Sequence, residues 1–229
     1  MAKFKARCDS LSTMRTSLLA LPIASGMLVS SLAWLHLGCD PPRRIPAGQR
    51  FEDRFERNEI GPDWRPTGSG WSIENGALRV QNAHNHPLWL RRKLPRDARI
   101  EFDAWSDSPA GDIKCEVYGD GESFARAASY TATSYVVIFG GWHNRLNVIA
   151  RMDEHGADRQ VRDTPKVELG RRYHFTLERR GRELRWLLDG SALLDFNDPE
   201  PLTGPGHEYF AFNDWEALVH FDNLVIAPL

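Results

Sequence analysis

From about residue 50 to the C-terminus, apolar and polar residues change places with a period of two. Ile100, Phe102 and Ala104 alternate with Glu101, Asp103 and Trp105, and Tyr173, Phe175 and Leu177 alternate with His174, Thr176 and Glu178. Successive side chains of an extended strand point to opposite faces, so each segment predicts a strand buried on one side. Asn75-Gly76 separates Trp71-Ser-Ile-Glu from Ala77-Leu-Arg-Val, and Asp189-Gly190 separates Leu184-Arg-Trp-Leu-Leu from Ser191-Ala-Leu-Leu. Both dipeptides tolerate the positive φ that two-residue hairpins demand, and Arg180-Gly181 offers a third turn. No apolar stripe at helical spacing persists beyond about two turns, so helices are expected only as short connectors. Many short strands with regular turn signals predict an all-β sandwich or barrel.

The N-terminal segment breaks this pattern. Lys3, Lys5, Arg7 and Arg15 precede an uncharged, largely apolar run from Thr16 to Gly38, the layout of a signal peptide over residues 1–38. Met14, just before Arg15, offers an alternative start that gives a leader of ordinary length. The run ends at Cys39, followed by the proline-rich Asp40-Pro-Pro-Arg-Arg-Ile-Pro-Ala-Gly, which predicts an extended tether over 39–49. Gly38-Cys39 resembles the bacterial lipoprotein processing site, which implies acylation of Cys39 and a membrane anchor facing the periplasm or exterior. His36 and Leu37 depart from that motif, and a single transmembrane anchor is the competing reading of the run.

Composition narrows the function classes. The chain has 229 residues, 41% hydrophobic and 26% charged, which suits one well-buried domain or two small ones and excludes both disorder and a multi-span membrane protein. The formal charge is −2, and because four of the basic residues named above lie in the leader, the remainder is more acidic still. Its many arginines are scattered along the chain, so no nucleic-acid partner is expected. Cys8 lies in the leader and Cys39 at the processing site, leaving Cys115 without a disulfide partner. Ile113, Cys115 and Val117 alternate with Lys114, Glu116 and Tyr118, which points the Cys115 thiol into the core.

Four segments carry a resemblance that covers nearly all of residues 50–228. Phe51-Glu-Asp-Arg-Phe55, Gly61-Pro-Asp-Trp64 and Trp71-Ser-Ile-Glu-Asn-Gly-Ala-Leu78 resemble the opening of concanavalin A-like lectin/glucanase domains, including keto-disaccharide hydrolase-like domains and bacterial domains of unknown function. Val219-His-Phe-Asp-Asn-Leu-Val-Ile226 resembles their last strand, which returns beside the first. The resemblance implies a two-sheet antiparallel jelly-roll β-sandwich over residues 50–229, with one concave face that holds glycans in many relatives.

Saccharide sites combine flat aromatic faces with planar polar groups for the hydroxyls. Trp105 shares a strand face with Glu101 and Asp103, a face a jelly roll could present to ligand or simply to solvent. Gly140-Gly141-Trp142-His143-Asn144-Arg145 places an indole, an imidazole and an amide on a glycine-hinged loop after the apolar Tyr135-Val-Val-Ile-Phe139. Asn213-Asp214-Trp215-Glu216 forms a similar group, and a sandwich could bring the two loops together at one end. Trp105, Trp142, His143, Asn144, Asp214 and Trp215 are therefore the candidate ligand-binding residues.

Other chemistry is less well supplied. His220 and Asp222 lie two apart on one strand face, a spacing compatible with acid–base work but commoner in structural pairs. His84 and His86 lack a third ligand at recognisable spacing, so no metal site is expected; no cofactor is expected either, and nothing indicates a structural calcium. Glucanases of the resembled fold carry a Glu-x-Asp-x-x-Glu strand, whereas Glu101-Phe-Asp-Ala-Trp-Ser106 lacks the second glutamate and Asp107 falls on the opposite face. The expectation is an envelope-anchored lipoprotein domain that binds an oligo- or polysaccharide. A glycoside hydrolase or lyase on the same scaffold and a protein-interaction domain are the alternatives.

Overall fold

The computed structural model describes residues 43–127 and 130–229. The expected leader over 1–38, the alternative start at Met14 and the lipidation site at Cys39 lie outside the described residues. The strands in chain order are β1 (Arg43–Arg44), β2 (Phe51–Asp53), β3 (Trp64–Pro66), β4 (Trp71–Glu74), β5 (Ala77–Val80) and β6 (Leu88–Leu90). They continue with β7 (Arg92–Lys93), β8 (Ala98–Ser106), β9 (Ile113–Gly119), β10 (Tyr135–Gly140), β11 (Leu146–Arg151) and β12 (Gln160–Arg162). The last are β13 (Tyr173–Arg180), β14 (Glu183–Leu188), β15 (Ser191–Asn197), β16 (Tyr209–Asn213) and β17 (Val219–Pro228).

Two antiparallel sheets face each other, as expected of a jelly-roll sandwich. One has seven strands in the order β12-β11-β10-β9-β16-β6-β3, and the other runs β15-β14-β13-β8-β17-β5-β4 with β2 paired to β17. Their inner faces supply the core. On β8, Ala98, Ile100, Phe102, Ala104 and Ser106 are buried while Arg99, Glu101, Asp103 and Trp105 are half-buried, the period-two pattern read from the sequence. Phe212 of β16 and Phe221 of β17 stack across the two sheets at 4.2 Å, and Phe102 and Phe175 stack within one sheet at 4.8 Å. Each such fully buried ring contributes roughly 1.5–3 kcal/mol of burial free energy, and the aromatic interlock sets how the sheets pack.

The hairpin turns follow local chemistry. Asn75 and Gly76 have φ of 52° and 75°, and Asp189 and Gly190 have 50° and 78°, two positive values in succession as a type I′ turn requires. The final strand returns beside the first strand of the resembled motif, with Leu224, Val225 and Ile226 opposite Asp53, Glu52 and Phe51. Asp53 anchors that corner by accepting from both terminal nitrogens of Arg57, from Trp64 Nε1 and from the Phe55 amide. Burial alone would raise its pKa, but these donors hold it below the ordinary value.

The segment expected as a tether is described from Arg43 onward, and there it lies against the sandwich. Arg43 and Arg44 pair in parallel with Arg92 and Lys93, and Ile45 is buried with its amide donating to the Lys93 carbonyl. Cys115 is buried in the inter-sheet core, and burial pushes its thiol pKa up, so it is protonated and inert.

Candidate functional site

β9 is the middle strand of the seven-stranded sheet, and its two faces differ sharply. Ile113, Cys115 and Val117 point into the core, whereas Lys114 and Glu116 point outward and yet are only 2% and 0% exposed. Loops at residues 83–86, 130–134, 152–156 and 213–217 fold over that outer face and bury it. Charges withdrawn from water must be paired, and these are. Lys114 Nζ donates to Asn85 Oδ1 and Glu154 Oε2, each at 2.9 Å. Glu116 accepts from Ser134 Oγ at 2.6 Å, Asn213 Nδ2 at 2.8 Å and Tyr130 Oη at 3.0 Å. Asn213 Nδ2 also reaches Asn85 Oδ1 at 3.3 Å, which closes the network.

Protonation in this network is set by burial against neighbouring charge. Burial raises Glu116 to about 7 despite the donors around it. Asp214, fully buried, is raised to about 8 by burial and by the neighbouring Asp112 carboxylate, and its Oδ1 has no hydrogen-bond partner while Oδ2 accepts from the Ala83 amide at 3.4 Å. Burial raises Asp112 as well. For Lys114 burial acts in the opposite direction, but Asp112 and Glu154 outweigh it and keep the ammonium charged.

Above this floor lies a hollow of about 580 Å³. Trp142, His143 and Arg145 border it on one side and Trp215 and Glu216 on another, with Asn85, Asp112, Lys114 and Glu154 below. Trp142 and His143 sit on the β10–β11 turn, where Gly140, Trp142, His143 and Asn144 have φ of 73°, 52°, 58° and 59°. Left-handed backbone at three consecutive non-glycine residues is sterically costly and persists only where surrounding contacts enforce it. Asn144 supplies those contacts, since its side chain donates to the Val167 carbonyl at 2.8 Å and accepts from the Val167 amide at 2.9 Å. Trp142 is half-buried, with the Arg159 guanidinium 5.2 Å over its ring. Trp215 is 38% exposed, its amide donates to Asp112 Oδ2 at 2.9 Å, and His84 meets its ring edge-on at 4.8 Å.

The two loops singled out in the sequence therefore meet at one hollow, but not every residue singled out reaches it. Trp142, His143 and Trp215 line it. Asn144 is spent on holding the turn, and Asp214 is buried beneath the loop that carries Trp215. Trp105 lies on the outer face of the other sheet, because β8 belongs to that sheet. Glu101 and Asp103 on the same face pair with Arg99 and His174. The His220–Asp222 pairing read from the sequence is not made: His220 Nε2 meets Asp107 Oδ2 at 3.0 Å, and Asp222 meets Arg172 at 2.9 Å. His84 and His86 share no metal ligand set among the described residues.

Lys114, Asp112, Asn85 and Glu154, which line the hollow, and Glu116 in the network beneath it were not singled out from the sequence. Their only sequence signal was a charged pair on a strand otherwise rich in core residues, which reads equally well as a solvent face.

No protein-family model matches the chain. An extracellular exo-α-L-arabinofuranosidase of Streptomyces chartreusis is 25% identical over 141 residues, and the match spans 60% of this chain but 16% of that relative's length. A carbohydrate-binding module from Bacillus subtilis superposes with a TM-score of 0.56 at 16% identity, covering 74% of this chain and 98% of that one. A prokaryotic β-1,3-1,4-glucanase (lichenase) derived from a mouse hindgut metagenome gives a TM-score of 0.56 at 10% identity, covering 79% and 99%. At these identities the likeness establishes the two-sheet jelly-roll fold.

Proposed function

We propose that the domain binds carbohydrate in the hollow between Trp142 and Trp215. The observation that carries this reading is the convergence of two partly exposed indoles, on two loops far apart in sequence, over a floor of hydrogen-bonded polar groups. Indole rings stack on the apolar faces of sugar rings, and the fixed Lys114, Asn85 and Asp112 offer both donors and acceptors to hydroxyls. The floor is pre-organised by its own network, so little ordering cost falls on the ligand. The similar proteins, a carbohydrate-binding module and glycan-cleaving enzymes, agree with a saccharide ligand.

A second reading, glycan cleavage in the same hollow, is favoured by the carboxylates of Asp112, Glu154 and Glu216 that border it. The apolar run to Gly38 followed by Cys39 supports a lipid-anchored, envelope-facing placement within the same proposal. A glycan-array screen of the full chain, with product analysis on every ligand found, tests the proposal. Retention of an intact glycan supports binding, released shorter products support cleavage, and no ligand on a broad array refutes both. Radiolabelled palmitate incorporation that is lost in Cys39→Ala tests the anchor.

A further inference from the structure

A second open hollow, of about 900 Å³, lies on the seven-stranded sheet around the β3–β6 edge. Arg65, Arg91, Arg92, Asp63, Glu122 and Tyr209 line it. Arg65 comes from β3 and the consecutive Arg91 and Arg92 from the segment after β6, and the fold brings them to one surface in a chain whose formal charge is −2. Their pairing is incomplete. Arg92 is matched by Asp63, at 2.7 Å from Nη2 and 2.9 Å from Nε. Asp120, at the rim, is consumed by its own turn, accepting from the Glu122 and Ser123 amides at 2.8 Å each and from the Ser123 hydroxyl.

Among the described lining residues, Arg65 and Arg91 share the hollow with one further carboxylate, Glu122. Arg65 approaches Glu122 and the Gly121 carbonyl only at 3.5 Å, with the two side chains 50% and 67% exposed. Exposed pairs at that separation contribute little and yield readily to a better partner. The exposed Arg91 side chain makes one hydrogen bond among the described residues, to the Pro62 carbonyl at 3.3 Å. Each guanidinium thus keeps donors in the planar fork that matches an oxyanion. The half-buried Tyr209 ring forms a wall, and Gly121 (φ 82°) lets the backbone lie against it, since a Cβ there would come within 2.8 Å of Tyr209 Cδ2.

We propose that this hollow is a separate binding site for an acidic saccharide, a glycan bearing carboxylate or sulfate groups read by Arg65 and Arg91. The volume lies within the roughly 300–1,000 Å³ of small-molecule sites. An aromatic wall with backbone carbonyls beside it suits a hydroxylated ring carrying an isolated anion. A phosphate polymer fits less well, because Asp63 and Glu122 sit within the same hollow and would repel a continuous line of charge.

The test is binding of the full chain to a polyuronate, to a sulfated glycan, to a neutral glucan and to vesicles rich in anionic phospholipid. The expected result is saturable binding to the polyuronate or the sulfated glycan, with the better of the two identifying the anion. It should weaken about tenfold or more in Arg65→Ala/Arg91→Ala and on raising NaCl from about 50 to about 500 mM. Glu122→Gln should strengthen it by removing the competing carboxylate. Trp142→Ala/Trp215→Ala should leave it unchanged, which separates this site from the hollow described above. Equal binding by the arginine double variant, binding to vesicles alone, or no binding to either acidic glycan at low salt would each overturn the proposal.

Discussion

The Trp105 indole and the His220 imidazole stack with ring centroids 4.8 Å apart and planes 5° from parallel. They are directly opposite one another on β8 and β17, while Arg172, from the β13 side, lies over the same indole at 4.0 Å. Since β8 runs between β17 and β13, the two partners cover opposite faces of the ring. An indole sandwiched in this way has no face left for a sugar.

Trp105→Ala is therefore expected to leave glycan affinity unchanged while lowering stability by about 1–2 kcal/mol through loss of the stack and the cation–π contact. Parallel glycan titration and urea unfolding check both parts. A large loss of affinity in a folded variant would return Trp105 to the site.

Asp214→Asn tests the buried carboxyl beneath the Trp215 loop. In the folded protein this group is raised from 3.8 to about 8, so the fold favours its protonated form. Its contribution to stability is fully present below the unfolded pKa and is lost as pH rises through the folded one. The asparagine variant does not titrate. Its stability relative to the parent is expected to increase between about pH 4 and pH 8 and to level off above. Melting temperatures across that range check the sign, and a difference that stays constant with pH would contradict the assigned shift.

Gly140→Ala should disturb the turn that carries Trp142. Gly140 has φ 73°, and a Cβ there would lie 2.5 Å from Val167 Cγ2 and 2.8 Å from Asn144 Oδ1, the atom that accepts from the Val167 amide. A destabilisation of about 1–3 kcal/mol is expected, accompanied by weaker glycan binding, because the left-handed turn loses its clamp. Urea unfolding at saturating and zero glycan separates the two effects.

What could be read from the sequence was what depends on near neighbours. Asn75-Gly76 and Asp189-Gly190 specify their turns through their own φ preferences, and the alternation on β8 and β13 specifies which residues enter the core. The glycine-hinged Trp142 loop and the Trp215 loop stood out for the same reason. The site floor did not. Lys114 and Glu116 alternate with core residues exactly as solvent-facing charges would, and only loops distant in sequence turn that face into an interior. The covering of Trp105 was hidden for a related reason: its partners, His220 and Arg172, lie far from it in sequence. Asn144 looked like a ligand group because the cross-loop bonds to Val167 cannot be read from its own neighbours.

Whether the hollow between Trp142 and Trp215 holds the sugar is the decisive question. Calorimetric titration of a glycan found on the array against the full chain, Trp142→Ala, Trp215→Ala and Trp105→Ala measures this directly. The expected result is a rise in Kd of about tenfold or more in each of the first two variants, about 1.4 kcal/mol or above, in proteins that remain folded, with the affinity of Trp105→Ala equal to that of the parent. Unaltered affinity in both Trp142→Ala and Trp215→Ala would contradict it.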